Sequence, residues 1–228
     1  MYNRRKSQLP AVKDIRGIKG KFYIASLIEE GEHEHQDFKF AVSDARKIAR
    51  SLSAFANNDG GRLLIGVKDN GAIAGVRNEE DIFVVEQAAE MYCEPPQEIK
   101  VTAFKAEGGH TVMRVEIGRA PIRPVHVKET GGELRAYYRV RDENIAAPPL
   151  LVRAWKHASG NEGSIIEVNS QGRMLLEMAS DSDGVTIEGF MLAAHVSRQT
   201  AEDIAVSLYG MGLIEFMYNG TCFTLKSL

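Results

Sequence analysis

The stretch from Ala45 to Val67 constrains this chain more than any other. Ala45, Ile48, Ala49, Leu52, Phe55 and Ala56 recur at helical spacing, so the stretch opens as an amphipathic helix. Ser43 is placed to cap it, although Arg46 stands where a capping box would have Glu. Asn57-Asn58-Asp59-Gly60-Gly61 then breaks the helix and starts a strand over Arg62–Lys68. The run Leu63-Leu64-Ile65 inside that strand predicts burial on both faces. Asp69-Asn70-Gly71 is a tight hairpin signal leading into Ala72–Val76. A helix running into a doubly buried strand calls for a mixed α+β (α/β) domain with a mixed sheet and flanking helices.

The rest of the chain divides around this stretch. Lys21–Glu30 reads as a short helix closed by Gly31, and His35–Val42 as a strand with Phe38 and Phe40 on one face. A helix is expected from about Glu79 to Cys93, stopped by Pro95-Pro96. Strand pairs follow around Gly108-Gly109 (99–106 and 111–117) and around Gly131-Gly132 (125–128 and 133–140). Asn144–His157 reads as a helix and Ala158–Gly163 as a linker. Three helix patterns and a hairpin at Asn219-Gly220, expected to turn in two residues, then give the order of a winged helix. The expected divisions are a basic N-terminal arm over 1–27, a domain over 28–158 and a small module over 164–228.

Charge separates these parts. The chain's net charge of −3 hides 25 basic against 22 acidic residues over 1–160, and three against nine over 161–228. Residues 1–28 alone carry seven basic residues and one acid. Such asymmetry suggests modules with different partners. No apolar run approaches the ~20 residues of a membrane helix, and no secretion signal follows the basic N-terminus. Cys93 and Cys222 form neither a metal motif nor a disulfide framework, so a cytoplasmic setting with no membrane partner is expected.

Two constellations carry chemistry. In Glu32-His33-Glu34-His35-Gln36-Asp37-Phe38-Lys39, strand alternation sets Asp37 beside Lys39, about 7 Å apart along the strand. A carboxylate holding Mg²⁺ with a lysine near the phosphoryl group suits phosphodiester hydrolysis. Glu32 can join Asp37 only if Gly31–Glu34 turns, and Asp69 would have to converge from the end of its strand. The alternative is a solvated strand face with ordinary charge pairs. In Glu133–Arg141, Arg135, Tyr137, Arg139 and Arg141 alternate with mostly apolar residues, which would give a face of guanidinium groups for phosphates and an aromatic for base stacking. Arg123 lies shortly before them. The competing reading pairs these arginines with Glu116, Glu129 and Glu133.

In the last module, Ser197-Arg198-Gln199-Thr200 starts the helix that would read DNA, with Arg198, Gln199 and Thr200 as its recognition face. Its acidic balance, with Glu202 and Asp203 in that same helix, favours a protein-interaction role, because phosphate contacts need cations. No phosphate-loop or dinucleotide fingerprint occurs, so the residues themselves nominate no cofactor.

Asp37-Phe38-Lys39, then Ala54-Phe55-Ala56-Asn57, Gly60-Gly61 and Ile65-Gly66-Val67, with Arg123-Pro124-Val125-His126 and Tyr138-Arg139-Val140 later, resemble the Schlafen AlbA-type DNA-binding domain family over about residues 28–150. The resemblance implies that fold, commonly with a C-terminal winged helix, in proteins labelled transcriptional regulators and sometimes ATP-binding proteins. Schlafen nucleases use two acids five residues apart and a later acid after the Gly-Val strand. These map onto Glu32, Asp37 and Asp69 as metal ligands, with Lys39 as the catalytic phosphate stabiliser. Asp37 stands where Glu is more usual. Nucleases of this family clamp RNA between two lobes, so a homodimer would have to supply the second. Three functions follow as expectations: a regulatory nucleic-acid-binding protein, a Mg²⁺- or Mn²⁺-dependent nuclease acting on RNA, or a protein-interaction adaptor.

Overall fold

The computed structural model describes residues 17–76, 80–160 and 168–228. Most of the basic arm, Glu79 and the end of the expected linker lie outside the described residues. The elements in order are β1 (Ile18–Lys19), α1 (Lys21–Glu30), β2 (Gln36–Lys39), α2 (Ala45–Asn57), β3 (Gly61–Ile65) and α3 (Glu80–Gln87), which a π-helical turn extends over Ala88–Tyr92. Then come β4 (Cys93–Glu94), β5 (Lys100–Lys105), β6 (Thr111–Ile117), β7 (His126–Lys128), β8 (Leu134–Val140), β9 (Glu143–Ala146) and α4 (Pro149–Gly160). The chain closes with α5 (Ser170–Ala179), α6 (Ile187–Ala194), α7 (Arg198–Gly210), β10 (Ile214–Tyr218) and β11 (Phe223–Ser227).

A mixed five-stranded sheet has the order β1-β5-β6-β3-β2, and a four-stranded antiparallel sheet the order β4-β7-β8-β9. β3 lies between parallel β2 and antiparallel β6 and is buried on both faces as its Leu63-Leu64-Ile65 run requires. Leu63 and Ile65 face the core built on α2, while Leu64 packs with Ile24 and Leu27 of α1. The core on α2 also takes in Val125, Val127 and Tyr137 from the β7–β8 region, so this helix lies between the two sheets. That position explains its sequence: nearly every residue from Ile48 to Asn57 is buried, including Ser51, Ser53 and Asn57. The Gly60-Gly61 pair makes the tight exit possible. Gly60 has φ +82°, a region favouring glycine, and a Cβ on Gly61 would come 2.4 Å from the Phe55 ring.

Local chemistry shifts several expected boundaries. Asp44, not Ser43, caps α2, accepting from the Arg46 amide. Phe40 falls beyond β2 and is 44% exposed, whereas Phe38 is buried. Asn144–His157 is no single helix. Pro148 and Pro149 cannot extend one from Asn144, so Glu143–Ala146 pairs with β8 and α4 starts at Pro149, where a missing N–H costs nothing. α4 continues through Ala158 and Ser159, taking the start of the expected linker. The final hairpin turns over 219–222 rather than in two residues, because Asn219 Oδ1 accepts from the Thr221 and Cys222 amides.

A second core surrounds Trp155 and joins α4 to α5, α6, α7 and the β10–β11 hairpin through Leu175, Phe190, Leu208 and Phe216. α4 therefore packs with the C-terminal elements. Among the described residues no helix is long and apolar enough to cross a membrane.

Candidate nucleic-acid interface and its acidic neighbour

The turn at His33–Gln36, closed by reciprocal backbone hydrogen bonds, brings Glu32 back to β2. Glu32 Oε1 accepts from the Phe38 amide at 2.8 Å and its carboxyl hydrogen-bonds that of Asp37. Burial and this bond raise the Glu32 pKa above the usual carboxylate value. Asp37 is buried; burial alone would raise its pKa too, but Lys39, Glu32 and Arg139 together hold it low. Lys39 Nζ lies 2.6 Å from Asp37 Oδ2, Ser51 Oγ donates to the same oxygen at 3.1 Å, and Arg139 Nη2 is 3.5 Å from Oδ1. The expected face of solvated charge is thus a buried network.

This donor set does not fit a divalent cation. Both Asp37 oxygens already face cationic groups, and no three His, Cys, Asp or Glu side chains gather for a metal among the described residues. Asp69 sits exposed in the turn after β3, so the expected Glu32–Asp37–Asp69 set is not assembled. Lys39 neutralises Asp37 and donates to the Phe38 carbonyl, leaving no free ammonium aimed at a phosphoryl group.

The Arg135–Arg141 face also differs from its expected form. Tyr137 and Arg139 point from β8 toward α2 and are buried. The Arg139 guanidinium, 1% exposed, donates to the His33 and Gln36 carbonyls and to Asn144 Oδ1, and lies over the Phe55 ring. Arg141, at φ +54°, leaves the strand in the turn to β9 and is exposed. Arg123 donates to the Asn57 carbonyl and lies over Trp155. Tyr137 donates its hydroxyl to Glu129 Oε1, which with Oε2 also receives a bidentate pair from Arg50. These residues therefore build the domain, and Arg135 alone of the β8 set stays exposed and cationic.

The Arg50–Glu129–Tyr137 link yields a prediction. The Arg50 hydrogen bonds, against some burial, and the Tyr137 hydroxyl hold the Glu129 pKa down at about 2. Because its folded value lies below its unfolded one, the stabilisation is full above the ordinary carboxylate pKa and disappears as pH falls toward 2. Glu129→Gln should cost about 2 kcal/mol at neutral pH and flatten the acid limb of stability against pH, read by urea unfolding at several pH values. An unchanged acid limb would remove Glu129 as its source.

Arg135 stands at the rim of a groove of about 440 Å³ between β7–β8 and α4, its side chain on the β8 face shared with Tyr137. His126 and its strand partner Ala136 line one wall, Arg153 and Lys156 the other, and Ala147 and Val152 add apolar surface. Burial and the nearby Lys156 lower the His126 pKa, so it is neutral at pH 7. Glu133 is the one acid lining the groove. A separate cleft of about 400 Å³ mixes Arg119 and Arg123 with Asp59 and Glu215, so it offers no such one-sided charge. The sequence alone nominates neither Arg153 nor Lys156 for this groove, and His126 only within the family resemblance. Arg153 and Lys156 stand three apart, a helical neighbour spacing, but nothing in the sequence places their helix across β7–β8.

In the last module α7 starts at Arg198, within the expected Ser197–Thr200 start, and Ser197 caps it by accepting from the Thr200 amide. Arg198 pairs with Glu188 and Glu202, Gln199 donates to Asp203, and the Thr200 hydroxyl is bonded to Ser197, so the expected recognition residues are tied within the module.

Residues 32–148 match the family model described as Schlafen, AlbA_2. Among solved structures, the DIP2311 protein from Corynebacterium diphtheriae is 19% identical, over 84% of this chain and 34% of that one, with a TM-score of 0.41. The chain thus spans about a third of that protein's length. The N-terminal domain of a RecG-related protein from Nitrosomonas europaea is 20% identical, over 66% of this chain and 95% of its own, with a TM-score of 0.39. No curated protein matches the chain.

Proposed function

The chain belongs to the Schlafen, AlbA_2 family, and from that premise we propose that it binds nucleic acid by its phosphate backbone, in a regulatory rather than a cleaving role. The observation that carries this reading is the groove that presents Arg153 and Lys156 from α4, with Arg135 of β8 at its rim. Its lining holds no Phe, Tyr or Trp to stack a base and no Asn or Gln to read an adenine edge. Cations over an apolar floor suit backbone contact that tolerates many sequences. A regulatory role fits the acidic cluster, whose carboxylate oxygens are engaged with Lys39, Ser51 and Arg139.

The test is titration of labelled duplex DNA and structured RNA by fluorescence anisotropy over a range of salt. Each phosphate neutralised contributes about 0.9 to the slope of log affinity against log salt on duplex DNA. Arg135→Ala with Lys156→Ala should weaken binding about tenfold at moderate salt and reduce the slope by roughly 2. Both side chains are exposed, so the fold should survive. An unchanged slope would move the contact away from this groove.

A further inference from the structure

Arg153 faces the groove from α4, yet its guanidinium is already held from the other side. Nη1 lies 3.3 Å from Glu202 Oε2, and Nη2 bonds Asp203 Oδ1, both from α7. These two acids are themselves fixed: Glu202 receives Arg198, which also pairs with Glu188, and both Asp203 oxygens accept from Gln199 Nε2, at 3.0 and 3.2 Å. A chain of polar groups therefore runs from α6 through α7 to the groove wall. On the opposite wall Glu133 pairs with Arg135. Lys156 forms no ion pair among the described residues.

We propose that Glu202 and Asp203 are a built-in competitor for phosphate at Arg153, by which the acidic C-terminal module restrains backbone binding in the groove. The inference rests on the nucleic-acid reading above. A carboxylate and a phosphodiester oxygen present the same acceptor geometry to a guanidinium fork, so one displaces the other. A phosphate arriving at Arg153 must exchange with or lie beside two like charges, which opposes its binding. Three of the module's acids, Glu188, Glu202 and Asp203, are engaged with Arg153 and Arg198, and α7 offers no free cation to DNA.

The test compares the whole chain with its Glu202→Gln, Asp203→Asn variant, using labelled duplex DNA and structured RNA across a salt series. The side-chain shapes are kept, and circular dichroism and thermal unfolding check the fold. The variant should bind about tenfold more tightly, with a salt slope steeper by about 1 as Arg153 gains a phosphate. Adding Arg153→Gln to the variant should cancel that gain. If the wild type binds and the variant binds equally or more weakly, the acids position Arg153 instead and the proposal fails alone. If neither protein binds, the nucleic-acid reading fails and takes this inference with it.

Discussion

Replacing Arg139 with methionine is expected to lower the free energy of unfolding by about 3–5 kcal/mol, among the largest single effects in the molecule. The guanidinium lies 3.5 Å from Asp37 Oδ1, and it donates to the carbonyls of His33 and Gln36 in the turn that follows Glu32. Methionine matches much of its volume but leaves Asp37 buried with Lys39 as its one close cation. It also removes the guanidinium bonds to the two carbonyls, which keep only their reciprocal backbone bonds. Lysine should not rescue, because a point ammonium cannot reach His33, Gln36 and Asn144 together as the planar fork does. Removing the stranded charge as well, in Arg139→Met with Asp37→Leu, should recover part of the loss, since apolar replacement of a whole buried pair is often tolerated. Urea unfolding of the three variants decides it. A loss below about 1 kcal/mol in the single variant would show that water replaces the guanidinium and that the network is not dry.

This residue also shows what the sequence could and could not disclose. Alternation along β8 put Arg135, Tyr137 and Arg139 on one face correctly, but could not say that the face turns inward against α2. An arginine in a strand reads as exposed by default, and only the tertiary positions of Asp37 and Asn144 make burial affordable. Asp37 and Lys39 were legible as neighbours, and so was the condition that Glu32 could join them if residues 31–34 turned. The strand Leu63–Ile65 was legible because a continuous apolar run admits few environments. The groove was not. Its walls come from β8 and α4, and Pro148-Pro149 moved the helix start past the residues that the apolar period suggested. The pairing of Arg153 with α7 joins positions far apart in sequence, for which no local pattern exists.

Asn57→Ala should cost about 3 kcal/mol and, in the molecules that remain folded, weaken nucleic-acid binding as well. Asn57 is the last residue of α2 and wholly buried. Its Nδ2 donates to the Val125 and Tyr137 carbonyls, each at 2.9 Å, and its Oδ1 accepts from the Val125 amide at 2.7 Å. One side chain thus ties the helix to two segments of the second sheet. Alanine leaves a buried N–H and two carbonyls seeking partners, at about 1–3 kcal/mol for each left unmet, with Ser53 relieving part of the cost because its Oγ already donates to Val125 O. Aspartate should be worse than alanine: it keeps the acceptor, loses both donations and adds a buried charge. The link to binding is positional. Val125 precedes His126 and Tyr137 lies two residues beyond Arg135, so the groove wall on β7–β8 takes its placement relative to α2 from this anchor. Chemical denaturation should show the stability loss. Anisotropy at a temperature where the variant is folded should show weaker binding with the salt slope unchanged, since no phosphate-contacting cation has been removed. A slope that falls with the affinity would mean that the anchor controls which cations reach the backbone, and not merely how well they are aligned.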